Sequence, residues 1–442
     1  MAVALMIENL SRELAEFTVR FKLKDAPGNA IANAKIAILD CLGVALLAGT
    51  SEIGDAIRSY ASAAVASGRC TVWGTKLSAG IRDAAFLNGM LAHGLDYDDS
   101  GHSTTYLLAS SFAATEGEEQ SGARLLEAFI VGREVRYSLN PIFANRHAGV
   151  GPGARGWHAT GILGGIAAAC AASRVFGLSA NQTAHAIGLG AGSCGALTRD
   201  GGTMAKSFRT GQAGATGLTA AQLAQSGFSS DEQPLEGRLG LLQAIGPIPE
   251  DTLAKLGDGL GKVFSLESEV DVKLIAACAA AHAPVEAMLR LRNQHNIRPD
   301  RVARIDCDLK LNTAIREFPQ RGYEGHFSVR FCIAMALANG HLHPNDFSDS
   351  NVANPTIKKI MQVTRHVSQS AEIAVSLSDG TRLVTPIKPA TKLTQWHEVE
   401  DKFRQCAAGI ISEANADTVI RHIDALETLT NIDAFATSLR PN

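Results

Sequence analysis

Residues able to move protons and hold anions are concentrated in Leu87–Tyr106, LNGMLAHGLDYDDSGHSTTY, where imidazoles, three carboxylates and several hydroxyls crowd into an apolar neighbourhood. A helical reading of its first half puts His93, Asp96 and Ser100 at i, i+3 and i+7, on roughly one face, with Asp98 and Asp99 pointing elsewhere. An acid, an imidazole and a hydroxyl beside Leu91 and Leu95 cost several kcal/mol if buried without partners, so the stretch reads as the wall of a site. A solvated helix end is the plainer alternative.

Two further stretches carry usable groups. In GWHATGILGGIAAACAASRVFGLS, His158 stands just before a helix whose body holds Gly161, Gly164 and Gly165. Each glycine costs about 1 kcal/mol relative to alanine inside a helix, which points to close approach of another backbone or a ligand. A lone histidine is more often structural, but the helix start singles this one out. In GLGAGSCGALTRDGGTMAKSFRTGQAGATG, Lys206 and Arg209 lie among glycines without the spacing or preceding strand of a phosphate loop. Lys206 is either an ordinary surface lysine or a partly desolvated one, able to hold a carboxylate or, with a lowered pKa, to act as a base.

The elements that must position these groups are mainly helical. Leu10, Leu14, Phe17 and Phe21 recur at helical spacing, and Ala-rich periodic segments separated by Gly, Ser or Asp continue to about residue 265. Gly177 and Ser179 read as the stop of one helix and the N-cap of the next. Beyond 265, Ile305, Cys307, Leu309 and Leu311 alternate with polar residues, as do Ile373, Val375 and Leu377, and Asp379-Gly380 signals a hairpin. After Pro389 the helical period returns. The expected architecture is mainly α: a large helical domain over 1–265, completed by 395–442, with a smaller α+β lid domain over 266–394.

With 442 residues, 46% of them apolar, and a net charge of -3, the chain is long enough for two domains and shows no bias towards nucleic acid or an anionic membrane. A small molecule is the expected partner. Eight scattered cysteines without a C-x-x-C suggest core residues in a reducing compartment rather than a metal site. The first residues, MAVALMIENLSRE, lack a basic leader and cleavage site, and the longest apolar stretch, about 161–173, is too short to span a bilayer, so a cytoplasmic location is expected.

LDCLGVALLAG, NGMLAHGLDYDD, GWHATGILGGIAAA, TMAKSFRTGQAGATGLTAAQLAQSGF with LEGRLGLL, Cys278 with His282, EGHFSVRF and VEDKFRQCA occur in an order and spacing that resemble the MmgE/PrpD family nearly end to end. The resemblance implies a helical domain with a smaller α/β lid, assembled as homodimers, with the active site between them and no metal or organic cofactor. It implies roles for Asp96 and Ser100, which match the acid and hydroxyl of a D-[YF]-D-D-[ST] motif, for His158 in G-[WF]-H, and for Lys206. His102, Tyr106, Arg209, Cys278 and His282 join Ser100 as expected substrate-binding residues, and Asp96, His158 and Lys206 are the expected proton-transfer groups. Tyr106, Cys278 and Thr313 depart from the histidines and tyrosine of the family's cis-aconitate decarboxylases, which argues against that activity. The expected function is cofactor-independent lyase or isomerase chemistry on a small di- or tricarboxylate, of the 2-methylcitrate dehydratase or iminodisuccinate epimerase kind, by proton abstraction next to a carboxylate. The alternative is a catalytically silent member that binds carboxylates.

Overall fold

The computed structural model describes residues 9–144, 149–268, 270–310 and 316–441; Leu311 and Thr313 lie outside them. The fold is mainly α, with 59% helix against 7% strand. Fourteen helices of eight or more residues occur among the described residues: α1 Leu10–Arg20, α2 Gly28–Ala48, α3 Glu52–Ala64, α4 Ile81–Ala92, α5 Ser103–Gly117, α6 Gly122–Ser138, α7 Ala159–Phe176, α8 Ala180–Gly192, α9 Ala205–Gln225, α10 Ala279–His295, α11 Val329–Asn339, α12 Pro355–Val363, α13 Trp396–Ala407 and α14 Glu413–Asp424.

Small residues set how closely the first nine pack. A Cβ on Gly217 of α9 would lie 2.4 Å from the backbone nitrogen of Ala169 in α7, and one on Gly89 of α4 would lie 2.9 Å from Gly211 Cα of α9. Gly164 likewise faces Ala213. Ridges of side chains are replaced there by backbone contact, so α9 beds against α7 and α4 and holds their ends together at one place. Ser179 caps α8 by accepting from the Gln182 N–H, and Gly177 takes the left-handed conformation that ends α7.

Helices α2 and α7 are apolar on all sides. By length and composition both are able to cross a membrane, which corrects the expectation that no stretch is long enough, but 72% and 78% of their apolar windows are buried inside the protein. They are its central core helices.

A four-stranded sheet follows: β1 Val302–Cys307, β2 Thr364–His366, β3 Glu372–Leu377 and β4 Arg382–Pro386, in the order β2-β1-β3-β4. β1 runs parallel to β2, with Ile305 opposite Thr364, and antiparallel to β3, with Ile305 opposite Val375. β3 and β4 form the hairpin signalled by Asp379-Gly380, whose glycine has a φ of 87°. Helices α10, α11 and α12 pack together beside this sheet. The chain then returns to the first helices, where α13 lies along α2 with Phe403 against Gly43 and a buried Lys402–Asp40 ion pair of 2.6 Å.

Candidate active site

Helix α4 stops at Ala92, one residue short of the chemistry. His93 is its C-cap, and the chain then turns through Asp96 (φ 48°) and His102 (φ 58°) before α5 begins at Ser103. His93, Asp96 and Ser100 therefore share a loop and not a helix face, a correction with a clear cause: each of the three carboxylates here turns to a different partner. Left-handed backbone costs a residue with a Cβ roughly 1–3 kcal/mol, and this loop keeps it at two chemically active side chains.

Asp98 accepts hydrogen bonds from two imidazoles, His93 Nδ1 at 2.9 Å and His102 Nδ1 at 2.8 Å. Both rings thereby turn Nδ1 to Asp98, and His102 directs its Nε2 towards Lys206 Nζ, 3.4 Å away. Asp96 accepts from Lys206 Nζ at 2.6 Å, and Lys273 Nζ stands 3.4 Å from the same oxygen while donating to the Asp96 carbonyl at 2.6 Å. Asp99 pairs with Arg133 at 2.7 Å and accepts from Thr104 Oγ1. Burial raises the Asp96 and Asp98 carboxyls, but the two lysines and the two imidazoles respectively outweigh it and hold both well below the usual carboxylate range. Burial pushes His93 down to about 4, so it stays neutral. Of the two lysines, burial lowers the pKa of Lys206 in spite of Asp96, whereas Asp96 and Asp98 overcome burial at Lys273 and raise it. Lys206 is the one better able to release a proton.

This loop forms one wall of a cavity of about 600 Å³, lined also by His158, Arg209, Cys278 and Phe327. His158 is the N-cap of α7 and its Nδ1 accepts from the Thr160 N–H at 3.3 Å, which leaves Nε2–H as the donor. Burial, together with the nearby Arg209 and Lys206 charges, holds its pKa well below 6.5. His158 is thus a neutral hydrogen-bond donor at neutral pH. Arg209 is buried; its Nη1 donates to the Leu197 carbonyl at 2.7 Å, while Nε and Nη2 meet no acceptor among the described residues. Burial lowers it to about 10, still protonated. The N-terminal turns of α7, α9 and α10 all open on the cavity, through Ala159, Lys206 and Ala279. Three positive helix ends, and cations that outnumber the one carboxylate, Asp96, among the described lining residues, suit this cavity to an anion.

Residues 12–252 match the MmgE/PrpD N-terminal domain and residues 275–428 the MmgE/PrpD C-terminal domain. The chain belongs to the MmgE/PrpD family. It is 24% identical to the cis-aconitate decarboxylase of Mus musculus, over 99% of this chain and 94% of that protein, and 24% identical to the one from Homo sapiens, over 99% and 95%. The cis-aconitate decarboxylase-like protein oryM of Aspergillus oryzae is 25% identical over 96% of both chains.

In this MmgE/PrpD chain the cavity brings together Asp96, Ser100, His102, His158, Lys206, Arg209 and Cys278. It does not bring Tyr106 or His282 to its wall. Tyr106 is fully buried on α5, and His282, a turn inside α10, faces back to the Ala277 carbonyl at 3.1 Å. Asp98 was expected to point away, yet it is the group that orients both imidazoles. Lys273 went unnoticed altogether; its only signal is a lone cation in the apolar run VDVKLIAAC. His93, Asp96, Asp98 and His102 also bring ligand atoms within 4.8 Å of one another, a grouping suited to a metal ion. Here the Lys206 and Lys273 ammonium groups already neutralise Asp96, and each Asp98 oxygen is engaged by an imidazole N–H, so the residues do not fit a metal centre.

Proposed function

We propose that this MmgE/PrpD enzyme is a lyase of small di- or tricarboxylates, working by removal of a proton from carbon next to a carboxylate, with dehydration as the favoured outcome. The observation that carries the reading is His102, whose Nδ1 is engaged by Asp98 at the wall of the cavity, leaving Nε2 as the candidate base. Burial and the Asp98 bond fix the tautomer, much as a carboxylate orients a catalytic imidazole elsewhere. Charge developing on the substrate carboxylate as the proton leaves is met by Arg209, the neutral His158 N–H and the helix ends. Lys206, with its lowered pKa, is the candidate acid for a departing hydroxyl.

Base and acid stand 3.4 Å apart on one wall. That suits loss of a proton and a hydroxyl from the same face of the substrate, whereas epimerisation needs acid and base on opposite faces of one carbon. At Cys278 the resemblance places a histidine in decarboxylases, and a thiol offers no comparable proton donor, which favours dehydration over decarboxylation. The cis-aconitate decarboxylase names of the relatives support the broader lyase reading.

The test is incubation with 2-hydroxy di- and tricarboxylates in deuterium oxide, following alkene absorbance and deuterium content together. A substrate of this class should give an unsaturated product, with deuterium exchange dependent on His102. Deuterium entry with inversion and no alkene sinks dehydration in favour of epimerisation, and carbon dioxide release marks decarboxylation. Binding without exchange in any acid leaves the silent carboxylate-binding protein.

A further inference from the structure

Beyond Lys206 and Arg209, a third buried cation reaches the same cavity. Arg136, in the last turn of α6, is 6% exposed and lines the cavity with Tyr137 and Asn140. Its Nη1 donates to Asn140 Oδ1 at 2.9 Å, its Nε meets no acceptor, and it pairs with no carboxylate among the described residues. Arg133, three residues earlier on the same helix, shows the ordinary arrangement, paired with Asp99 at 2.7 Å. A buried guanidinium without a counter-charge is costly, and its placement on a cavity wall supplies the reason to keep it. The Tyr137 hydroxyl closes the gap towards the Asp96 loop, since a Cβ on Gly101 would lie 2.7 Å from it.

We propose that Arg136, steadied by Asn140, receives a third substrate carboxylate and makes the cavity selective for tricarboxylates over dicarboxylates. The inference rests on the carboxylate reading above. It leaves Lys206 to the departing hydroxyl, assigns Arg209, His158 and the helix ends to the carboxylates around the reacting carbon, and gives Arg136 the one remote from it. The guanidinium fork, always charged and planar, matches a carboxylate in two-point geometry.

Calorimetric titration of the full-length protein with two unreactive acids, tricarballylate and methylsuccinate, separates the possibilities because methylsuccinate keeps two adjacent carboxylates and lacks only the terminal one remote from them. The wild type should bind tricarballylate about 10- to 100-fold more tightly, the usual effect of one charge-assisted contact. Arg136→Gln should lose that preference while binding methylsuccinate within about threefold of wild type and keeping the same melting curve. If Arg136→Gln does not fold, Arg136→Met keeps the side-chain volume without the charge and carries the same expectation. A variant that retains the wild-type preference overturns the assignment of Arg136 alone. A wild type that binds neither acid overturns the carboxylate reading and this inference with it.

Discussion

The two walls of the cavity handle buried charge in opposite ways. On the loop between α4 and α5, every carboxylate has its cation or imidazole: Asp96 with Lys206 and Lys273, Asp98 with His93 and His102, Asp99 with Arg133. At the helix ends facing it, two nitrogens of Arg209 and one N–H of His158 meet no acceptor among the described residues. A wall satisfied internally holds its geometry before substrate arrives, as proton transfer requires. The open wall carries desolvated donors whose partner, under the proposed function, is the anionic substrate. Folding thus stabilises one wall and leaves binding to complete the other.

The hardest blow to this contrast is Asp98→Asn. Asparagine puts an NH2 donor where one of the two accepting oxygens stood, so either His93 or His102 loses its acceptor and with it the fixed orientation of its ring. Turnover should fall by roughly two to four decades, as when the orienting carboxylate of a triad is lost, and the melting temperature should drop with it. Normal turnover by a folded Asp98→Asn protein would remove His102 from the role of base. Arg209→Met probes the other wall and should separate rate from stability. KM should rise about 10- to 100-fold, while the melting temperature stays level or rises slightly, because an unpaired buried guanidinium is exchanged for an apolar chain of similar volume. The Leu197 carbonyl loses its donor, but Leu197 is 52% exposed and water replaces it. A loss of stability matching that of Asp98→Asn would erase the distinction between the walls.

How much of this was legible beforehand follows from the same contrast. The helical body, the Asp379-Gly380 hairpin and the Ser179 cap depend on local period and turn chemistry, which a sequence carries openly. His158 and Lys206 stood out because helix starts and glycine-rich surroundings are also local features. The pairing of Asp98 with two imidazoles is different: it exists only because α4 ends at His93 and the chain turns left-handed at Asp96 and His102. An i, i+3, i+7 reading of a continuous helix sends Asp98 to the wrong side. Lys273 and Arg136 reach the site from a two-residue ladder with Lys392 and Leu393 and from the end of α6, contacts set by tertiary packing alone.

Acid titration sharpens the contrast at the level of stability. Burial pushes His93, His282 and His326 from 6.5 down to about 4, and burial with neighbouring cations holds His158 well below 6.5. His93, His282 and His326 are neutral in the folded protein at pH 5 and His158 is shifted in the same direction, whereas their unfolded counterparts bind protons below about 6.5. Unfolding therefore takes up protons in that window, and stability present at pH 7 is lost as pH falls towards 4. Asp40 works against this: burial raises it to about 6 despite Lys402, so the folded state holds a proton there that the unfolded chain releases above 3.8. Burial raises Glu116 and Glu134 in the same sense, but the four lowered imidazoles outnumber these three carboxyls, so the net slope follows the imidazoles. Urea unfolding midpoints at pH 7.5, 6 and 5, followed through the buried Trp73, should decline steadily; equal midpoints would mean that these imidazoles are accessible to protons in the folded state.

The smallest effect is expected where the two walls meet, at Cys278. Its side chain lines the cavity close to Lys206 and Lys273, surroundings that often activate a thiol. Burial and the Asp96 charge prevail over both lysines and push it up to about 11. At pH 8 that leaves about one thiolate in a thousand. The backbone does more than the sulfur: its N–H donates to the His326 carbonyl at 2.8 Å, fixing the start of α10 and the positive helix end that faces the cavity. Serine preserves that backbone bond, is nearly isosteric and is a good N-cap, so Cys278→Ser should change kcat/KM by no more than about threefold. Iodoacetamide at pH 8 should leave activity intact over the time that labels a free thiol. Rapid inactivation, prevented by a bound polycarboxylate and absent in Cys278→Ser, would show an ionised sulfur and place a second proton-transfer group on the wall assigned here to holding the substrate.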